Sequence, residues 1–167
     1  MNRMHCESIK PRCSSNRNIT WTMHFKKEEI VRENKINLLI VDDEERFLFT
    51  SKTLFEKRGL NVLTATNGLD ALKVLDEHRI EVVILDVKMP GMNGIDVLRK
   101  IKKKFPLIEV ILITGHASVE SAVEGIQLGA FDYIAKPCDI SELLSKIQEA
   151  FGKQQTMKEK TSKIKVN

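Results

Sequence analysis

Mainly apolar residues cluster in five short runs along the chain: Ile36–Val41, Asn61–Ala65, Glu81–Leu85, Ile108–Ile113 and Phe131–Ala135. Turn residues bound each run. Several are too continuously apolar for a sheet with one wet face, which predicts parallel strands buried on both sides. Between the runs the period becomes helical. Phe47, Ser51, Leu54 and Phe55 form a stripe between about Glu44 and Arg58, with Gly59 as its stop. Further helices are predicted after Asn67, after Asn93, more weakly from Ser118 to Gln127, and from Asp139 onward. In the last, Asp139 and Glu142 have capping-box spacing, and Ile140, Leu143, Leu144, Ile147 and Phe151 recur at helical intervals. Five strand–helix units with short connections predict an α/β, doubly wound, five-stranded parallel sheet with right-handed crossovers and helices on both faces.

The ends break this pattern. Residues 1–34 mix Asn, Ser, Arg and Cys without a sustained period and are expected to be a flexible extension; 152–167 are expected to be a Lys-rich tail, frayed from the last helix or disordered. That leaves 35–151 as the folded domain. The formal charge of +4 changes meaning once it is divided along the chain. Residues 1–35 hold eight basic and four acidic residues, and 152–167 hold five lysines against Glu159, so the body between them carries 14 basic and 18 acidic. A nucleic-acid-binding fold carries its basic excess on the body; here the body is acidic, and no direct nucleic-acid contact is expected. No apolar run approaches the roughly 20 residues that span a bilayer, and no apolar stretch follows the N-terminal basic residues as in a secretory signal. Cys6, Cys13 and Cys138 are too few and scattered for a disulfide framework, so a cytoplasmic protein is expected.

A doubly wound sheet binds ligands beyond the C-terminal ends of its strands, where the strand order reverses. The polar residues at those ends are Asp42 and Asp43 after the first strand, Asp86 after the third, Thr114 after the fourth and Lys136 after the fifth. Three carboxylates, a hydroxyl and an ammonium would share one crevice. Such carboxylates repel one another, and Lys136 offsets only one charge. A hard divalent cation such as Mg²⁺, which typically takes one or two carboxylates plus waters and phosphate oxygens, would offset the rest. A carboxylate beside such a metal can attack phosphorus and form an aspartyl phosphate. The metal would screen charge on the transferring group, while Thr114 and Lys136 could each bind a phosphate oxygen.

Four segments then carry a resemblance: Leu38-Leu39-Ile40-Val41-Asp42-Asp43-Glu44, Asp86-Val87-Lys88-Met89-Pro90-Gly91-Met92-Asn93-Gly94, Thr114-Gly115 and Lys136-Pro137. In this order at strand ends they resemble the signature segments of two-component response-regulator receivers, over about residues 36–151. The stretch from Thr114 to Ser118 and on through Gly129-Ala130-Phe131-Asp132-Tyr133 is similar to receivers that precede sigma-54-activating ATPase domains. The resemblance implies the flavodoxin-like receiver fold, with strand order 2-1-3-4-5. It implies a phosphoacceptor switch rather than an enzyme, taking phosphate on Asp86 from a histidine kinase or phosphotransfer protein and assisting its own Mg²⁺-dependent phosphorylation and dephosphorylation. Asp43 and Asp86 would hold Mg²⁺ through side chains, Lys88 through its backbone carbonyl, and Asp42 mostly through water. Thr114 and Tyr133 would be the switch pair, altering a surface of the fourth helix, fifth strand and fifth helix that docks a downstream protein and could support a homodimer on phosphorylation. Only about sixteen residues follow the last helix, so the chain is expected to act by docking or to be a fragment of a longer regulator.

Plainer readings compete for single residues. Asp43 suits a helix cap, Thr114 a strand-end turn, and Tyr133 ordinary half-buried strand packing. Lys88 and His116 could tune the access of water to the phosphate or simply be solvated. His5, Cys6, Cys13 and His24 match no zinc spacing. A dehalogenase-type phosphatase would need a second aspartate two residues after the nucleophile, where this chain has Lys88. A nucleotide-binding sheet would need a G-x-G-x-x-G segment or a P-loop, and neither occurs.

Overall fold

The expected alternation is present throughout the residues that the computed structural model describes, 35–115 and 118–164. The elements are β1 (Asn37–Val41), α1 (Glu45–Glu56), β2 (Asn61–Ala65), α2 (Gly68–Glu77), β3 (Val82–Asp86), α3 (Gly94–Lys104), β4 (Glu109–Thr114), α4 (Val119–Gln127), β5 (Asp132–Ala135) and α5 (Ile140–Ile164). All strand pairs are parallel, in the order β2-β1-β3-β4-β5. The readings made on residues 1–34 and on His116 lie outside the described residues.

Alternation along the strands feeds two separate cores. Leu39, Val41, Val83, Leu85, Val110 and Leu112 face one side, with Ala71 and Leu75 of α2 and Ile95, Leu98 and Ile101 of α3. Leu38, Ile40, Val82, Ile84, Ile111 and Ile113 face the other, with Leu48 and Phe55 of α1 and Leu143, Ile147 and Ala150 of α5. Every residue of β3 and β4 is buried, as central parallel strands covered on both faces require.

Local chemistry sets the helix ends. Asn67, Asn93 and Ser118 each accept a backbone N–H of the following helix on their side chains. Gly59, at φ +88°, lets α1 close: its N–H reaches the Glu56 carbonyl and the Leu60 N–H reaches that of Phe55. The last helix departs most from the sequence reading. It continues to Ile164 through residues assigned there to a Lys-rich tail, burying Gln154 and pairing Lys153 and Lys158 with Glu109 and Glu81. No helix among the described residues is long and apolar enough to cross a membrane.

Candidate functional site

After β1 the chain turns outward to β2, and it then crosses back to place β3 on the other side of β1. The loops after β1 and β3 therefore diverge, opening a crevice above the sheet's C-terminal edge. Asp42 follows β1, Asp86 ends β3, Thr114 ends β4, and Lys136 follows β5. Thr114 is paired in register with Ala135, and its carbonyl accepts the Lys136 N–H at 2.7 Å, so the last two strands deliver hydroxyl and ammonium to the same edge. The Lys136–Pro137 peptide is cis.

The ammonium of Lys136 joins the crevice together. It lies 2.5 Å from Asp42 Oδ2 and 3.4 Å from Asp86 Oδ1. Both carboxylates are deeply buried, at 1% and 4% exposure. Asp42 is well satisfied, because its Oδ1 also accepts the Glu44 N–H at 2.9 Å. Burial pushes the Asp86 pKa up. The Lys136 charge opposes that, the Asp42 charge adds to it, and hydrogen bonds from Lys136 and the Lys88 backbone pull it back; the balance stays above the ordinary aspartate value. For Lys136, burial works against the charged form. The hydrogen bond and charge of Asp42, followed by those of Asp86, outweigh it, and its pKa stands above the usual lysine value.

Gly94 lets the loop after β3 fold tightly over Asp86. A Cβ there would stand 2.1 Å from the Asp86 carbonyl oxygen and 2.8 Å from the Val87 Cα, so only glycine fits. The Gly94 N–H donates to the Val87 carbonyl at 2.9 Å, pinning the loop as α3 begins.

Not every residue named from the sequence joins this cluster. Asp43 is exposed, and no three His, Cys, Asp or Glu side chains among the described residues are grouped to hold a metal. Asp42 and Asp86 meet around one ammonium, and Asp43, next along the chain from Asp42, is exposed to solvent. Two carboxylates and one ammonium leave a net negative crevice with oxygen donors, which suits a hard cation keeping most of its waters. Lys88 is exposed. Thr114 is fully buried. Tyr133 is half-buried, and its hydroxyl lies 2.9 Å from Ser121 Oγ, tying β5 to α4.

The structure adds two residues that the sequence reading did not place. Ser121 holds the Tyr133 hydroxyl, and the Phe47 ring lies under Lys136, its centroid 4.6 Å from the ammonium. The helical period marked Phe47 as a core-stripe residue, and it does pack half-buried on the core beside the buried Leu48; its contact with Lys136 is what the period did not report.

Comparison with known proteins agrees with this geometry. The family model for the response regulator receiver domain matches residues 38–148. A putative NtrX-like response regulator of Rickettsia bellii is 41% identical over 117 residues, covering 69% of this chain but 24% of that relative. The chain thus matches about a quarter of the length of that curated relative. Among solved structures, a CheY-like receiver domain from Methanospirillum hungatei superimposes with a TM-score of 0.72 at 32% identity, covering 74% of this chain and 99% of that one. A response regulator from Burkholderia pseudomallei with a phosphorylated aspartic acid, calcium ion and citrate gives 0.66 at 28% identity, covering 74% and 73%.

Proposed function

The chain belongs to the response-regulator receiver family, whose general function is phosphorylation on an aspartate, and from that premise we propose that Asp86 is its phosphate acceptor. The carrying observation is the single Lys136 ammonium shared by two buried carboxylates where the strand order reverses. Asp42 is committed to Lys136 and to the Glu44 N–H, whereas Asp86 is more loosely held, at the end of the central strand. In the transfer, an Asp86 carboxylate oxygen gives an electron pair to phosphorus. The P–N bond of a phosphohistidine breaks, and its pair stays on the imidazole, which takes a proton from water. Lys136 would bind one phosphate oxygen and the Thr114 hydroxyl another.

The crevice suits Mg²⁺, held by the side chains of Asp43 and Asp86, by the Lys88 backbone carbonyl, and by Asp42 through water. When bound, the ion would screen the charge of the transferring phosphoryl group. The calcium ion present with the phosphorylated aspartic acid in the Burkholderia response regulator supports this reading. The same residues would assist both gain and loss of the phosphoryl group, making the protein a switch rather than a catalyst for other substrates.

Thr114 and Tyr133 form the switch. As Thr114 turns toward the phosphate, Tyr133 would move inward and its bond to Ser121 would part, altering the α4–β5–α5 face. Val119, Val123 and Ile126 already stand exposed along α4, which suits docking of a downstream protein or a second phosphorylated copy. Phosphate would come from a histidine kinase or a phosphotransfer protein, placing residues 35–151 in the cytoplasm as the receiver body. The test is incubation with acetyl phosphate and Mg²⁺, borohydride trapping and peptide mapping. Label should fall on Asp86 and vanish in Asp86→Asn with the circular dichroism spectrum intact. Label on Asp42 or Asp43 overturns the assignment.

A further inference from the structure

Three groups meet the Lys136 ammonium: Asp42, Asp86 and the face of Phe47. The first two belong to the crevice. Phe47 lies in the first turn of α1, half-buried and packed against the core that α1 and α5 share, so its ring is anchored. An aromatic face attracts a cation within about 6 Å of its centroid. Unlike a carboxylate, it takes no proton and imposes no single hydrogen-bond direction. Nor does its charge change when a phosphoryl group arrives on Asp86. An ammonium that must turn from two carboxylates to a phosphate oxygen is best held by a partner indifferent to that rotation.

We infer that Phe47 is a positioning residue for phosphoryl transfer: its ring face holds the Lys136 ammonium over the crevice, where the incoming phosphate oxygen meets it. This rests on Asp86 being the acceptor. Phe47 acts through Lys136 and touches no reacting atom. Neither carboxylate can replace it, because both are engaged by the same cation and one becomes the acyl phosphate. The neighbouring aromatic, Phe49, is 75% exposed.

The experiment compares the full-length chain with Phe47→Leu, Phe47→Met, Phe47→Tyr and Phe47→Trp, using acetyl phosphate as donor. Leu and Met keep apolar volume without a ring; Tyr and Trp keep the ring. Phosphorylation at saturating Mg²⁺ should slow about three- to tenfold in the Leu and Met variants and return toward wild type with Tyr or Trp. The Mg²⁺ concentration giving half-maximal rate should not move. The Lys136 ε-methylene protons should lose their upfield ring-current shift in the Leu and Met variants and keep it in the others. Wild-type rates in both Leu and Met variants, or equal slowing by Tyr and Leu, overturn the role of Phe47. A wild type that takes no label on Asp86 overturns the acceptor and this role with it, an outcome distinct from labelling that is insensitive to residue 47. The ring-current shift reads the contact without any phosphorylation.

Discussion

Lys136 stands 2.5 Å from Asp42, while its distance to the proposed acceptor Asp86 is 3.4 Å. The lysine is therefore a structural partner of Asp42 as well as the group proposed to bind phosphate. Asp42 is almost fully buried, and removing its ammonium would leave a charge there supported by one backbone N–H. Breaking a buried pair from one side typically costs about 3–5 kcal/mol; Lys136 is partly exposed, so the cost falls at or just below the lower end.

Lys136→Met should accordingly lose about 2–3 kcal/mol in urea unfolding without Mg²⁺. Added Mg²⁺ should restore part of that loss by supplying positive charge to the same carboxylates. A variant as stable as wild type in metal-free buffer would show that Asp42 does not depend on the lysine. The burial of Asp42 thus gives the lysine a part in folding beside the phosphate-binding part proposed for it.

At the opposite edge of the sheet, Glu109 is buried at the start of β4 and is held by Lys153 of α5 at 3.1 Å and Lys102 of α3 at 3.5 Å. Burial lowers the Lys102 pKa; Glu109 opposes that, and the Lys153 charge adds to it. The two lysines are unequal. Lys102 is mostly buried and also donates to the Ile108 carbonyl at 2.7 Å, whereas Lys153 is 43% exposed. Lys153→Ala should cost about 1 kcal/mol, because Lys102 remains and gains from the lost repulsion. Lys102→Met should cost about 2–3 kcal/mol, leaving both the carbonyl and the carboxylate poorly served. Equal losses in denaturant unfolding would show that the two lysines share the glutamate evenly.

These contacts also mark where the sequence stopped being legible. The strands were readable because β3 and β4 are apolar on both faces, and the crevice followed from reading polar residues at strand ends. Asp86 and Thr114 are the last paired residues of β3 and β4, at the strand ends where the sequence put them. The length of α5 was hidden because Lys153 and Lys158 look like a solvated tail until Glu109 and Glu81 come beneath them. Glu109 and Lys153 are 44 residues apart, and no local period reports such a pairing. Phe47 was hidden differently. Its helical phase places it on the core stripe, where it packs half-buried, and no local period reports that Lys136 lies over its ring.

Asp139 offers a pH test away from the crevice. Its carboxylate accepts the Ser141 N–H at 2.6 Å at the start of α5, and that hydrogen bond holds its pKa below the ordinary aspartate value. A depressed folded pKa gives stability that is present above the unfolded value of 3.8 and lost as pH falls through the folded one. Asp139→Ala should therefore be less stable than wild type at pH 7, and the difference should shrink below pH 3.8. A difference that persists unchanged in strong acid would mean that charge is not what Asp139 contributes.

Gly94 gives the sharpest separation between acceptor geometry and fold. Its Cα approaches the Asp86 carbonyl so closely that a Cβ would lie 2.1 Å from that oxygen and 2.8 Å from the Val87 Cα. Both neighbours are backbone, so no side-chain rotation relieves the contact. Either α3 must retreat or the end of β3 must move. The first breaks the Gly94 N–H bond to the Val87 carbonyl and disturbs Ile95, Val97 and Leu98 in the core. The second displaces Asp86 from Lys136, whose contact is already as long as 3.4 Å. Gly94→Ala should cost about 2–4 kcal/mol, the scale of overpacking with backbone strain. It should also slow acetyl phosphate labelling of Asp86 at least tenfold under conditions where the variant is fully folded, because misplacement by about 1 Å costs on the order of a hundredfold in a positioned transfer. Circular dichroism establishes the folded fraction, and borohydride trapping reads the label. A variant that folds at reduced stability yet labels at the wild-type rate would show that the loop after β3 moves independently of the acceptor, and the close contact at Gly94 would then be a packing constraint alone.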